Sequence, residues 1–174
     1  MMLLRSRTGN DVEALCDLVR LVHEADGYPV VLQADVQSFI WTENCLAAWV
    51  CELEDRIVGH VALHTIWSDE VADFAAMSLR RERTALASVS RLLVHPAYRR
   101  LGLGAELLAT ATNDAHDRGV WPVLDVVTTY MPAIALYEGV GWTRLGTIAY
   151  PMPDGREIDE YVYAGPPRPR IGES

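Results

Sequence analysis

A glycine-rich turn between an apolar segment and a long amphipathic segment constrains this chain more than any other feature. The apolar run at 85–94 predicts a buried strand, which His95 and Pro96 end. The turn at 99–104 reads RRLGLG and opens a helix predicted over 103–118. Strands and helices alternate most densely over 85–141, so we expect the chemistry of the chain in this region.

The turn has the properties of a phosphate-binding site. The first N–H groups of a helix lack internal partners, and the helix dipole is positive there. Gly102 and Gly104 carry no side chains, so a phosphate can approach the backbone closely. Arg99 and Arg100 add guanidinium donors. The sequence therefore predicts a pyrophosphate site, against the alternative of a tight turn with two incidental glycines.

Two other phosphate-binding motifs are excluded. A Walker loop requires Gly-Lys-Ser/Thr, and all 15 basic residues of this chain are arginines. A Rossmann fingerprint requires a third glycine where Leu107 stands. The absence of lysine also excludes Schiff-base chemistry, and we interpret it as the codon usage of a GC-rich bacterial genome.

Periodicity predicts the remaining elements. In chain order they are a strand over 2–7, a helix over 12–25 after a capping box at 8–11, a short helix over 36–42, strands over 46–52, 57–65 and 123–128, a helix over 132–141, and strands over 142–150 and 158–163. The segment 67–83 fits either a loop or a short helix. This order indicates one mixed α/β (α+β) domain with a sheet flanked by helices, over 1–164. A disordered Pro/Arg-rich tail is expected over 165–174.

Composition limits the partners and the compartment. The net charge of −9 argues against nucleic acid, because phosphate backbones require a basic surface. The sequence has no apolar run long enough to span a membrane, and its first residues turn polar before a signal peptide could form, so we expect a cytoplasmic protein. Cys16, Cys45 and Cys51 form no C-x-x-C motif, so reduced thiols are expected.

Two motifs carry a resemblance to a known family. Residues 94–105, VHPAYRRLGLGA, resemble the R/Q-x-x-G-x-G/A loop of the GNAT acetyltransferase superfamily. Residues 133–142, AIALYEGVGW, resemble its A-x-x-L-Y-E-x-x-G-F element. The resemblance implies a mostly antiparallel sheet whose central strands, ending at Val94 and near Thr128, splay apart to hold acetyl-CoA. Dimerisation is common in the family.

The resemblance assigns the donor-binding residues. The pantetheine arm is expected to pair with the backbone of Leu92, Leu93 and Val94. The pyrophosphate is expected on the turn and the first helical residues, which are Arg99, Arg100, Gly102, Leu103, Gly104 and Ala105. Many members have an asparagine where this chain has Tyr130, which puts one cofactor contact in doubt.

The resemblance also suggests the catalytic groups. Tyr137 matches the family's tyrosine, which protonates the departing sulfur, although its spacing alone also fits an aromatic residue packed on a helix face. The glutamate base of many members is replaced by Ser88, or by Ser90, either of which could hold a water that removes the proton. His64 is a second candidate base, or else a packed or surface histidine.

A group of carboxylates and a pair of histidines suggest other roles. Asp69, Glu70 and Asp73 fit either a site for a cationic acceptor or a solvated acidic surface. His60 and His64 lie four residues apart in a strand, about 13 Å, too far for one metal ion. We therefore expect no metal.

The sequence favours an N-acetyltransferase that moves an acetyl group from acetyl-CoA to a primary amine of a small molecule or a peptide. The alternative is a GNAT-like domain that senses acyl-CoA without catalysis, which the missing asparagine and the unclear base favour. A purely structural domain that binds no CoA is the third hypothesis. The acceptor, the base and the oligomeric state stay open.

Overall fold

A computed structural model describes residues 1–66 and 68–169 of the 174-residue chain. The strands of the described residues are β1 (Met2–Ser6), β2 (Cys45–Leu53), β3 (Arg56–His64), β4 (Leu86–Val94), β5 (Trp121–Val127), β6 (Thr143–Pro151) and β7 (Glu157–Ala164). The α-helices are α1 (Val12–Asp26), α2 (Val36–Ile40), α3 (Asp69–Leu79), α4 (Leu103–Asp117) and α5 (Met131–Gly139).

The strands form one sheet in the order β1-β2-β3-β4-β5-β7-β6. β4 and β5 are parallel over Leu86–Ser88 and Trp121–Val123. The pairs β1–β2, β2–β3, β5–β7 and β6–β7 are antiparallel. The predicted fold class, a mixed and mostly antiparallel sheet flanked by helices, is confirmed.

The structure resolves the segment that the sequence left open. Residues Asp69–Leu79 form α3, whose first turn is capped by Ser68 Oγ accepting the Val71 N–H at 3.3 Å. Arg80 ends the helix in the left-handed region, with φ 53°. The predicted element order therefore lacked one helix. Its buried face is mostly alanine, which gives a weak hydrophobic periodicity.

The chain forms two compact units, and the first comprises Met1–Thr65 and Val89–Ala111. The apolar face of α1 and α2 packs on Val50 of β2 and Leu93 of β4. The predicted capping box is present, because the Thr8 N–H donates to Asp11 Oδ2 at 2.7 Å. The buried residues of this core are Leu15, Leu18, Val19, Val22, Val36, Ile40, Val50 and Leu93.

The second unit comprises Ile66–Ser88 and Thr112–Ser174, of which residues 67 and 170–174 lie outside the described part. Its core joins α3 to β4, β5 and β7 through Val71, Ala75, Leu86, Val123 and Val162. α3 also packs closely on β6. A Cβ at Gly146 would lie 2.6 Å from Phe74 Cζ, so only glycine fits there without movement.

The predicted tail is described in part. The Gly165 N–H donates to the Pro122 carbonyl at 2.9 Å, and the Trp121 Nε1–H donates to the Gly165 carbonyl at 3.2 Å. Residues 170–174 lie outside the described residues, so the disorder of the tail stays a prediction. Within 1–66 and 68–169, no helix is long and apolar enough to cross a membrane.

Candidate active site

The turn before α4 has an open backbone. Arg100 and Gly102 both have left-handed φ angles, 62° and 79°, which bend the chain sharply just before the helix. The Glu106 N–H donates to the Gly102 carbonyl at 3.1 Å and closes the first helical turn. The N–H groups of Leu103–Ala105 therefore have no acceptor within the helix. A Cβ at Gly102 would meet no atom within 4 Å, so a pyrophosphate has room beside the backbone.

The two arginines of the turn differ in their surroundings. The Arg99 guanidinium binds both carboxylate oxygens of Asp26 at the end of α1, and its Nε donates to the Val94 carbonyl at 3.4 Å. Arg100 is exposed. Because exposed ion pairs contribute little free energy, a phosphate can displace Asp26 from Arg99 at small cost.

Arg91 of β4 has a backbone conformation that the sequence did not indicate. Arg91 has a φ of 52°, which is unusual for a non-glycine residue inside a strand. Its carbonyl lies 2.8 Å from His60 Nδ1, and its Nε donates to the Phe39 carbonyl at 3.1 Å. Its guanidinium also stacks on the Phe39 ring, 4.6 Å from the centroid. These contacts hold Arg91 in a conformation that its residue type disfavours, so no sequence pattern predicts that conformation.

The candidate base His64 is fully buried in the first unit. Its Nδ1 lies 2.6 Å from Ser90 Oγ. Burial, together with the charges of Arg91 and Arg7, lowers the pKa of His64 to about 4. The imidazole is therefore neutral near pH 7 but a weak proton acceptor, poorly matched to an amine.

A row of polar side chains crosses three strands of the second unit. Ser88 of β4 pairs with Val123 of β5, and Asp125 follows two residues later on the same face. In the β5–β7 ladder, Asp125 lies opposite Val162, and Val127 lies opposite Glu160. Asp125 and Glu160 are therefore diagonal neighbours on that face. Ser88, a candidate from the sequence, therefore shares a sheet face with the carboxyl groups of Asp125 and Glu160. The sequence analysis did not identify those two residues as candidates.

The side chains of Asp125 and Glu160 are hydrogen-bonded to each other. Glu160 is buried and its side chain hydrogen-bonds to that of Asp125, which is exposed. Burial, together with the negative charge of Asp125, raises the pKa of Glu160 to about 9. At neutral pH Glu160 is therefore protonated and donates to the Asp125 carboxylate. The sequence signal was a lone aspartate within the apolar run VLDVV of β5.

Tyr137 lies on the other face of the same unit. Its ring packs 5.9 Å from the ring of Tyr163. Because successive side chains of a strand lie on opposite faces, Tyr163 lies on the face opposite to Glu160. The Tyr163 hydroxyl donates to Glu138 Oε1 at 2.8 Å, and Arg144 Nε donates to that hydroxyl at 3.1 Å. Tyr137 itself is 8% exposed. Its role as general acid stays a prediction.

The acidic residues of α3 are already engaged. Arg83 Nη1 donates to Asp69 Oδ1 at 2.8 Å, and its Nε donates to Asp73 Oδ1 at 2.7 Å. Glu70 accepts from Ser68 Oγ at 3.0 Å. These contacts favour a solvated acidic surface over a site for a cationic acceptor. Among the described residues, no group of three or more His, Cys, Asp or Glu side chains could hold a metal ion.

Comparison with known proteins gives the class. The sequence matches the acetyltransferase (GNAT) family over residues 14–142. The ribosomal protein bS18-alanine N-acetyltransferase of Escherichia coli (strain K12) is 39% identical over 139 residues, which cover 78% of this chain and 86% of that protein. Human N-acetyltransferase 8 is 30% identical over 114 residues, which cover 65% of this chain and 45% of the human protein.

Solved structures share the fold. A crystal structure of Arabidopsis thaliana NAA60 in complex with acetyl-CoA aligns with a TM-score of 0.71 at 18% identity, covering 94% of this chain and 97% of that one. The chain belongs to the GNAT acetyltransferase family, whose members are acetyl-CoA-dependent N-acyltransferases. The resemblance and the enzyme class inferred from the two motifs are confirmed.

Proposed function

We propose that this chain transfers an acetyl group from acetyl-CoA to a primary amine of a small molecule or peptide, and most readily to the N-terminal α-amine of a peptide or protein. The open backbone of the turn before α4 carries the donor half of the proposal. The acceptor half is supported by the E. coli relative, which is named for acetylating an alanine of a ribosomal protein.

The chain holds the donor mainly through its backbone. The N–H groups from Arg99 to Ala105, with Gly102 and Gly104 among them, bind the pyrophosphate at the positive end of α4. Leu92, Leu93 and Val94 pair with the pantetheine arm along β4. When bound, acetyl-CoA supplies an activated thioester. Arg100, which is exposed, reaches for the phosphates from solvent, while Arg99 does so on leaving Asp26.

Asp125 removes the proton from the acceptor. An α-amine is largely protonated at neutral pH and must lose a proton before its nitrogen can attack a carbonyl carbon. Asp125 is exposed on β5, so an ammonium group can reach its carboxylate. Ser88, on the same sheet face, orders a water beside it. His64 is the weaker alternative, because it is fully buried and an acceptor in solvent cannot reach its ring.

Tyr137 completes the transfer by direct displacement. As the N–C bond forms and the C–S bond breaks, the tyrosine hydroxyl gives its proton to the departing sulfur, and solvent later restores that proton. The ammonium gives its first proton to Asp125 before the attack, and Asp125 passes that proton to water. The nitrogen then gives its second proton to Asp125 as the N–C bond forms. The placement of Asp125 and Tyr137 on opposite faces of one sheet supports this division, with the acceptor on one side and the thiol on the other.

The test is acetylation of a peptide with a free N-terminal alanine, in the presence of acetyl-CoA, read by mass. The matched control is the same peptide with its N-terminus already blocked. We expect one added acetyl group on the free peptide and none on the blocked one. The alternative, a domain that senses acyl-CoA without catalysis, predicts acetyl-CoA binding with no acetylated product from any amine.

A further inference from the structure

We propose that Glu160 is a positioning residue for the transfer: it keeps one proton and donates a hydrogen bond that fixes the direction of the Asp125 carboxylate. Its catalytic consequence rests on the proposed function, whereas the shared proton does not. Nothing in the two family motifs includes Glu160, which lies in β7, some twenty residues beyond the second motif.

The surroundings of Glu160 leave it few options. The residues directly beside it on the neighbouring strands are Ile148 of β6 and Val127 of β5, both apolar. The residue is 7% exposed, and within the described residues no partner lies within hydrogen-bond distance of its Oε2. A charged carboxylate in this position would be desolvated without compensation.

The hydrogen bond between the two side chains requires a proton. Two ionised carboxylates repel each other and have no donor between them, so one of the pair must be protonated. Asp125 is exposed and keeps its charge more easily, while Glu160 is buried. Burial raises the pKa of Glu160 to about 9, in agreement with this assignment.

Among the described residues, the charge that acts on Glu160 comes from a neighbouring strand. Asp125 of β5 is the charged group that acts on Glu160. α3 packs on β6 and β7, and its Asp69 and Asp73 are ion-paired with Arg83. The state of Glu160 therefore follows from its burial and from Asp125.

The consequence is a base with a fixed orientation. Glu160 donates a hydrogen bond to one oxygen of the Asp125 carboxylate. This hydrogen bond restricts the rotation of the carboxylate, whereas the side chain of an exposed aspartate otherwise rotates freely. When Asp125 takes the proton of the acceptor ammonium, Glu160 retains its own, and Asp125 then passes the new proton to water. Glu160 touches neither substrate in this scheme and acts through Asp125.

The experiment compares Glu160→Gln with Glu160→Leu in the full chain. Glutamine keeps an N–H donor toward Asp125, whereas leucine fills the space and donates nothing. We expect kcat of the glutamine variant to exceed that of the leucine variant by about tenfold near neutral pH, a part of the 10²–10⁴-fold that a positioned base supplies. KM for acetyl-CoA should be the same in both. Equal kcat values for the two variants would overturn the positioning role.

A second readout does not depend on activity. Because the pKa of Glu160 is raised from 4.5 to about 9 by folding, its stabilising contribution is complete below the lower value and is lost as pH rises to the higher one. The Tm of wild type minus that of Glu160→Gln should therefore fall steadily over this interval. Glu157→Gln, an exposed glutamate on the same strand, is the control and should show no such trend.

The two readouts separate the two proposals. A Tm difference that is flat with pH would show that Glu160 holds no extra proton and would end this inference. The expected Tm trend without acetylation of any amine would leave the proton pair in place and remove the proposed function instead.

Discussion

At the scale of single residues, the proposed chemistry depends on titratable side chains that are buried, although side chains of these types are usually exposed to solvent. Glu160 is a glutamate held neutral by burial, and His64 is a histidine whose pKa burial lowers to about 4. Tyr137 lies in a cluster of rings with Tyr163 and Trp142. The sequence gives the residue types but not the burial that decides their protonation.

The role of Tyr137 is tested by Tyr137→Phe. Phenylalanine keeps the ring contacts with Tyr163 and Trp142 but has no hydroxyl to donate. We expect kcat to fall at least about 10²-fold, as for loss of a general acid, with the acetyl-CoA dissociation constant nearly unchanged. Tyr161→Phe is the matched control and should turn over like wild type. Equal turnover in Tyr137→Phe would remove this tyrosine from the mechanism.

A second residue-scale prediction concerns stability. Arg5 donates to both carboxylate oxygens of Asp11, at 2.8 and 2.9 Å, and lowers the pKa of Asp11 from 3.8 to about 2. A carboxylate with a lowered pKa stabilises the fold above its unfolded pKa, and this contribution is lost as pH falls toward 2.

Asp11→Asn should therefore destabilise the chain by about 1–2 kcal/mol at neutral pH, including part of the capping box. Denaturant unfolding at neutral pH and near pH 2 measures the difference, which should shrink at the acid end. A loss of the same size at both pH values would mean that the Arg5–Asp11 charge interaction contributes nothing.

At the scale of elements, the sequence was informative where local patterns are strong. The strand, turn and helix from 85 to 118 were predicted within a residue or two, because the apolar run, the two glycines and the helical periodicity agree. α3 stayed open because its buried residues are small. The left-handed φ angle of Arg91 could not be predicted, because tertiary contacts of that residue impose it.

The candidate site divides in the same way. The phosphate-binding turn and Tyr137 lie in contiguous motifs and could be found from sequence. Asp125 and Glu160 are 35 residues apart, and only the β5–β7 register brings them together. A pair of this kind depends on strand register, which a single sequence does not specify.

The phosphate-binding turn is tested by Gly102→Ala against Gly119→Ala. Both glycines have left-handed φ angles, 79° and 75°, and a Cβ at either would meet no atom within 4 Å. Each substitution should therefore cost a similar amount of stability, about 1 kcal/mol. Only the Gly102 variant places a methyl group where the pyrophosphate is proposed to bind.

Calorimetric titration with acetyl-CoA at matched folded fraction gives the comparison. We expect at least about a tenfold loss of affinity for Gly102→Ala, equivalent to about 1.4 kcal/mol, and none for Gly119→Ala. The same affinity in both variants would show that this turn does not bind the donor.

At the scale of the whole molecule, the element order and two motifs were enough to indicate the family. The match over residues 14–142 and the fold then agree with that assignment. Neither motif indicates the acceptor, since the resemblance assigns the first motif to the donor and the second to the group that protonates the sulfur. The net charge of −9 restricts partners only coarsely.

Thermal unfolding with and without millimolar acetyl-CoA is the most direct test that the turn before α4 binds acetyl-CoA. Donor at 100 times its dissociation constant adds about 2.7 kcal/mol to the stability of the folded state. For a chain of this length we predict that acetyl-CoA raises the Tm by roughly 5–10 °C. An unchanged Tm, in a protein that unfolds cooperatively, would contradict the assignment of the turn before α4 as the acetyl-CoA site.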